Sequence, residues 1–344
     1  MKSSKLAYSL VLFATVLALG VVILGAFTRL KDAGLGCPDW PGCYGHLVWP
    51  GTPEQIAAAE ARFPDAPFEV AKAWPEVVHR YFAGTLGFVI ILIAALAWRN
   101  RAAGTPLKLP LFLLLLVIAQ GLFGMWTVTL KLWPQVVTAH LLGGFTTLSL
   151  LWLLSLRLSA PAQFQAPPAL AAQYWQALRP LALGGLAVVV AQILLGGWTS
   201  TNYAALACPD LPTCQGRWWP PMDAASGFNI LQEIGPNYLG GQLDGTARVA
   251  IHMGHRIGAL VVTGYLIFLL SRLYRAAGTS DPALRRQANV IAALLAIQLC
   301  LGLSNVHWSL PLPVAVAHNA GGALLLLSLV SLNYRLYKSR SAAK

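Results

Sequence analysis

Glu76, His79 and Arg80 open a long apolar run, and His252, His255 and Arg256 open a later one in the same way. Two more histidines, His140 and His318, lie near the starts of other apolar runs. Ionisable side chains inside membrane-length apolar segments are expensive, rare and usually functional. Two imidazoles facing each other across a helix bundle form a ligand set that holds a haem iron from both sides. The pairs His79 with His140 and His255 with His318 therefore predict two such sites. Polar helix packing competes as a reading of any single histidine, but it accounts poorly for four at corresponding positions. Glu76 stands three residues before His79, on the same helix face, where the other copy has His252. A carboxylate beside a reacting carbon takes a proton or stabilises a developing cation, which a site that only holds a ligand does not need. Copper or zinc at His252 and His255 is a weaker alternative, because two histidines at i and i+3 are a sparse metal signal. His46 and His307 read as exposed or interfacial.

The elements that carry these residues are apolar and long. The chain has 344 residues, 57 % of them hydrophobic and only 10 % charged, with a mean hydropathy of +0.62. Uncharged runs at about 7–28, 81–98, 109–130, 134–156, 180–201, 257–271, 287–306 and 311–334 are each long enough to cross a bilayer core of about 30 Å. The fold class is thus an all-α polytopic membrane protein with eight transmembrane helices. The net charge of +12 is not gathered into one basic surface, which argues against a nucleic-acid partner. Instead Arg and Lys follow alternate spans: Arg99, Arg101 and Lys108, then Arg157 and Arg179, then Arg272, Arg275, Arg285 and Arg286, then Arg335, Lys338, Arg340 and Lys344. The positive-inside rule puts both termini in the cytoplasm of a cell with this protein in its inner (plasma) membrane. The first span reads as retained, since it is long, is followed by Arg29 and Lys31, and lacks an Ala-x-Ala cleavage site.

The pattern occurs twice. Cys208-Pro-Asp-Leu-Pro-Thr-Cys214 echoes Cys37-Pro-Asp-Trp-Pro-Gly-Cys43 at an offset of 171, and His255-Arg256 echoes His79-Arg80 at 176. Gln298 and Gly302 echo Gln120 and Gly124 at 178, as His318 with Gly321-Gly322 echoes His140 with Gly143-Gly144. A duplicated unit with four spans keeps one orientation in both copies, so the two are related by an axis along the membrane normal. The expected organisation is two pseudo-symmetric four-helix bundles, 1–158 and 179–344, joined by a Pro/Ala/Gln-rich cytoplasmic linker at 159–178. If Pro75, Pro134 and Pro313 mark helix starts, His79, His140 and His318 lie roughly 6–9 Å inside their spans. The Gly-Gly pairs remove bulk one turn along from His140 and His318, which suits a flat macrocycle and also suits helix packing. An Ala/Glu-rich stretch near 53–62 reads as a short surface helix.

Cys37/Cys43 and Cys208/Cys214 face the outer, oxidising side on this topology, so a disulfide within each loop is expected. Their spacing is not a usual zinc pattern, and a structural staple and a redox role remain equally open. Cys300 reads as a buried apolar residue of span seven.

Glu76-x-x-His79-Arg80, the duplicated Cys-Pro-Asp loops, Thr28-Arg29 and the His-x-x-Gly-Gly elements together resemble the haem A synthase family, over nearly the whole chain. The resemblance implies oxidation of a methyl group of haem O to a formyl group, giving haem A for aa3-type terminal oxidases. It implies that His79 and His140 bracket the substrate haem, that His255 and His318 hold a haem b cofactor, and that Glu76 is the acid needed for activity. Cys37 and Cys43 match the family's functional loop pair, whereas Cys208 and Cys214 are not present in every branch. Arg80 and Arg256 are candidates for the haem propionates. Partners implied are haem O and the farnesyltransferase that makes it, membrane lipid, and an electron donor or acceptor. The competing function is a di-haem b-type electron carrier without haem-modifying activity, against which the one-sided placement of Glu76 argues. A transporter, suggested by parallel repeats, is disfavoured because polar residues sit near one face rather than at broken mid-membrane helices.

Overall fold

A computed structural model describes residues 2–103, 107–159, 169–278 and 281–338. Among them are eight helices long and apolar enough to cross a membrane. Four belong to the first half: α1 (Lys2–Leu30), α3 (Val70–Arg99), α4 (Lys108–Thr129) and α5 (Pro134–Leu158). Four belong to the second: α6 (Ala169–Thr201), α8 (Gly245–Ala277), α9 (Pro282–His307) and α10 (Leu312–Lys338). Two short helices, α2 (Pro53–Arg62) and α7 (Ala224–Gly227), lie in the long loops. No strand occurs among the described residues, and the chain is a multi-pass membrane protein.

The helix starts follow local chemistry. Pro134 opens α5 and Pro282 opens α9, where the missing N–H costs nothing, and the Asp281 side chain caps α9. Asp244 caps α8 by accepting from the Ala247 N–H. Thr52 and Gln55 form a reciprocal capping box on α2, the expected surface helix. One boundary differs from expectation: α3 starts at Val70 and Pro75 lies inside it, so His79 sits about 13 Å rather than 6 Å along its helix. A second concerns 159–178, where α6 already begins at Ala169; the rest of that stretch, from 160, lies outside the described residues, as do Arg340 and Lys344.

Packing repeats with the sequence. In the first half α1 meets α3 and α5, and α4 meets α3 and α5; in the second α6 meets α8 and α10, and α9 meets α8 and α10. The halves join where α10 packs on α1 and α5, and α5 on α6. A continuous apolar core runs through both at the end bearing the basic residues, with Leu148, Leu151, Leu266, Leu269, Leu329 and Leu332 fully enclosed. All four paired histidines lie toward the opposite end, where the disulfide loops are. Cys300 is exposed rather than buried. The enclosed residues of α9 are Leu284, Ala288, Ile291 and Leu295, a 3–4 spacing that turns Cys300 outward to where lipid would lie.

The two disulfides, Cys37–Cys43 and Cys208–Cys214, close loops of matching form. Each has a bridge to the third residue beyond the second cysteine, Cys43 with His46 and Cys214 with Arg217. In each the chain then turns through left-handed backbone at Tyr44-Gly45 or Gln215-Gly216. The aspartate of each loop accepts the N–H groups exposed by that turn: Asp39 takes Tyr44 at 2.6 Å and Gly45 at 2.7 Å, and Asp210 takes Gln215 at 2.5 Å and Gly216 at 3.0 Å. The first loop also has its own small core of Cys37, Cys43, Tyr44, Ala59, Ala73 and Val77, which seats it on α3.

The Asp210 carboxyl is held down to about 2, chiefly by the Thr213 hydroxyl and then by the loop N–H groups. A depressed carboxyl orders the loop above the ordinary carboxylate range and ceases to do so as pH falls toward about 2. Amide exchange at Gln215 and Gly216, corrected for intrinsic rates, is expected to be flat from neutral pH to about 5 and to rise below about 3. Hydrogen-exchange mass spectrometry in detergent measures it.

Candidate functional site

Glu76 projects from α3 into the seam between that helix and the first disulfide loop, and only 5 % of it is exposed. Its Oε1 accepts from Arg80 Nη2 at 2.5 Å, one turn along the same helix, and its Oε2 accepts from the Cys37 N–H at 2.9 Å. Arg80 also donates to the carbonyls of Pro41 and Gly42 in the loop. The disulfide loop thus holds the carboxylate twice, once through its own amide and once through the arginine. A buried ion pair keeps its charge only if the remaining lone pairs and protons are satisfied, as they are here. Gly36 permits the close approach: a Cβ there would lie 2.2 Å from the Lys72 carbonyl oxygen.

The second half has the same frame with other contents. His252 occupies the place of Glu76, is equally buried, and donates from Nδ1 to the Ala204 carbonyl at 2.9 Å. Arg256 donates to the carbonyls of Cys208, Asp210 and Thr213 at 2.8–2.9 Å. Ala207 stands where the first half has Gly36. Both candidate propionate arginines therefore anchor loops, and Arg80 alone also pairs with an acid.

Each of the four paired histidines rests against a glycine of a neighbouring helix. A Cβ at Gly25 of α1 would lie 3.0 Å from His79 Cε1, and one at Gly196 of α6 would lie 3.2 Å from His255 Cε1. Gly124 of α4 faces His140 at 3.6 Å and Gly302 of α9 faces His318 at 3.2 Å in the same sense. The Nδ1 atoms of His79, His140 and His318 are buried without a hydrogen-bond partner. An orphaned imidazole nitrogen in an apolar interior is costly and calls for a partner. Among the described residues there is no cluster of three or more His, Cys, Asp or Glu to hold a bare metal ion. Histidine pairs instead fit an iron whose other positions are filled by a macrocycle. The residues present fit haem.

Sequence reasoning left the glutamines without a role. Gln192 Nε2 lies 3.0 Å from His255 Nδ1 and donates to the His255 carbonyl at 2.9 Å. Gln298 Nε2 lies 3.3 Å from His318 Nε2. The amides of Gln120 and Gln298 cover Gly143 and Gly321, so space beside the Gly-Gly pairs is shared with a side chain. The signal was the repeat of Gln120 as Gln298; Gln192 has no such echo, because Val21 stands at the corresponding position.

The family model described as cytochrome oxidase assembly protein, COX15-CtaA, matches residues 8–330. A heme A synthase of Shewanella oneidensis is 47 % identical over 327 residues, covering 95 % of this chain and 96 % of that relative. Heme A synthases of Methylobacterium radiotolerans and Caulobacter vibrioides are 30 % and 28 % identical, covering 93 % and 92 % of this chain and 87 % and 92 % of theirs.

Arg80→Ala strands a buried carboxylate and is expected to cost about 3–5 kcal/mol, part of which Glu76→Gln recovers in the double variant. Chemical unfolding of the four proteins in one detergent gives the coupling. Gly36→Ala drives a methyl into the α3 backbone and is expected to cost about 1–3 kcal/mol, against little change for Ala207→Gly. An equal response at the two positions would show that the loops bear on their helices alike.

Proposed function

The chain belongs to the COX15-CtaA family of cytochrome oxidase assembly proteins, and on that premise we propose that it is a haem A synthase. The reaction is oxidation of one porphyrin methyl group of haem O to a formyl group. The observation that carries this reading is the one-sided carboxylate. Two halves with matching loops and histidine pairs differ at the position beside the ligand, where one has a buried, doubly held Glu76 and the other a hydrogen-bonded His252. An electron carrier has no use for that difference.

In this reading haem O lies between His79 and His140, and a resident haem b between His255 and His318. The haem b supplies one-electron redox chemistry when bound. The imidazoles of each pair would hold a macrocycle through its iron, with Gly25, Gly124, Gly196 and Gly302 beside the histidines setting where the imidazole rings lie. Glu76 acts at its two oxygens. With Arg80 on Oε1 and the Cys37 N–H on Oε2 the carboxyl group is pinned where, as a carboxylate, it would stabilise positive charge developing at the substrate's methyl carbon. It also takes a proton from that carbon once Oε2 exchanges its loop amide for the reacting group. Arg80 and Arg256 lie beside both loops and extend their hydrogen bonding to haem propionates. The apolar walls and the seated first loop keep bulk water from the substrate side. Gln192, present only in the second half, adjusts the basicity of His255.

The charge pattern supports both termini and the basic helix ends in the cytoplasm, with the disulfide loops on the outer side of the inner membrane. The substrate would reach the first bundle from the enzyme that farnesylates haem, and electrons would leave to a separate partner.

The test is haem extraction and chromatography from membranes of cells that make haem O, with and without the protein. Haem A or a hydroxymethyl intermediate is expected with the wild type, and Glu76→Gln is expected to lower its yield about 10²–10⁴-fold while retaining bound haem. His255→Ala and His318→Ala are expected to deplete the b-type absorbance of purified protein. Bound haem b with haem O left unaltered in the wild type would replace this reading with the electron carrier.

A further inference from the structure

Between the two bundles α5, α6 and α10 leave a cleft of about 410 Å³ that extends to the basic end. It runs along α5 from Leu142 to Arg157, about 22 Å at the helical rise, and its walls are mostly Leu, Val, Ile and Phe. Polar side chains interrupt that lining, among them Ser149, Asn333 and Arg157. Ser149 Oγ and Asn333 Oδ1 are buried with no hydrogen-bond partner. The Asn333 amide nitrogen is already committed, donating to the Ala182 and Leu329 carbonyls at 3.0 and 2.9 Å, so only its acceptor atom is open. At the mouth stands Arg157, exposed and without an acidic partner among the described residues.

The repeat shows that this opening is specific to one side. The residue corresponding to Arg157 in the second half is Arg335, which pairs with both carboxylate oxygens of Asp281 at 2.9 and 3.2 Å. The residue corresponding to Val330 of the cleft is Trp152, and that corresponding to Leu153 is Ser331. On the repeat-related side of the α5–α10 contact, the Trp152 indole fills the space and donates to Ser331 Oγ at 2.7 Å. On the cleft side Val330 and Leu153 are too small to meet, and the cation keeps no acid.

We propose that this cleft is a site for one anionic phospholipid from the leaflet at the basic end. One acyl chain lies between α5, α6 and α10, and the phosphate sits on Arg157. An apolar slot with Arg157 at its mouth, and with Arg179 and Lys338 over the lining Tyr337 and Tyr334, matches that amphipathic molecule in shape and charge. The Ser149 hydroxyl then has an ester carbonyl oxygen of the lipid to donate to, which gives a partner to one of the two buried polar atoms left open. The lipid completes on one side the interface that Trp152 completes on the other. None of the four paired histidines lines the cleft, and the proposal holds whether or not the protein makes haem A.

The experiment is native mass spectrometry of the full chain released from nanodiscs of equal phosphatidylglycerol and phosphatidylcholine. The wild type is expected to retain one phosphatidylglycerol. Arg157→Gln, a change at an exposed position, is expected to weaken retention about tenfold and remove the preference between the two lipids. Val330→Trp with Leu153→Ser transplants the filled arrangement and is expected to retain none. Delipidated wild type is expected to unfold at a lower temperature and to be restored by phosphatidylglycerol but not by detergent, while the filled variant does not respond. Wild type that keeps no lipid, that keeps both lipids equally, or that matches the filled variant in retention overturns the proposal.

Discussion

A carboxylate cannot stay charged inside an apolar helix bundle unless its partners come with it, and Glu76 imposes that condition on everything around it. Arg80, one turn away, supplies the counter-charge, but a single ion pair leaves acceptor sites open on the other oxygen. Those are met by the backbone of the Cys37–Cys43 loop, so the loop has to be brought against α3. The contact needs Gly36, because any side chain there would strike the Lys72 carbonyl. The loop in turn needs its disulfide and the Asp39 carboxylate to keep the turn that follows. The buried charge therefore ties the first loop to α3, while the loop's own form, which the second loop shares with His252 in place of the acid, does not depend on it.

The bundles divide along their length in a related way. Toward the basic end the helices meet through tightly enclosed leucines and alanines, which carry the stability of a structure whose other half is built around polar side chains. Toward the loop end, a glycine of a neighbouring helix faces each of the four paired imidazoles. Close packing and imidazoles set between helices make opposite demands on the same helices, and the chain meets both by separating them along the helix axis.

Duplication explains how two such sites arose, and divergence explains why they differ. Where one half has Glu76, Gly36 and Val21, the other has His252, Ala207 and Gln192. In the first half Gly36 lets the loop approach the helix that bears Glu76; in the second Gln192 meets His255, and His252 meets the Ala204 carbonyl. The interface between the halves has diverged as well, with Trp152 against Ser331 on one side and a cleft on the other.

Eight spans, their common layer of histidines and the duplicated loops were legible in the sequence, because membrane-length apolar runs and repeated motifs leave a one-dimensional record. Glu76 was legible too, as the position at which the two copies disagree. The glycine facing each histidine was not, because the two come from different helices and only packing brings Gly25 to His79 or Gly302 to His318. The start of α3 five residues before Pro75 was hidden because a proline in the first turns of a helix is compatible with either boundary. Cys300 turned outward because burial depends on which face of α9 its neighbours cover, a matter of rotation that composition does not encode. The arginines are the clearest case. Sequence gives a guanidinium beside His79 and another beside His255, but that Arg80 and Arg256 reach loop carbonyls follows from where a folded disulfide loop comes to rest, which is a three-dimensional fact.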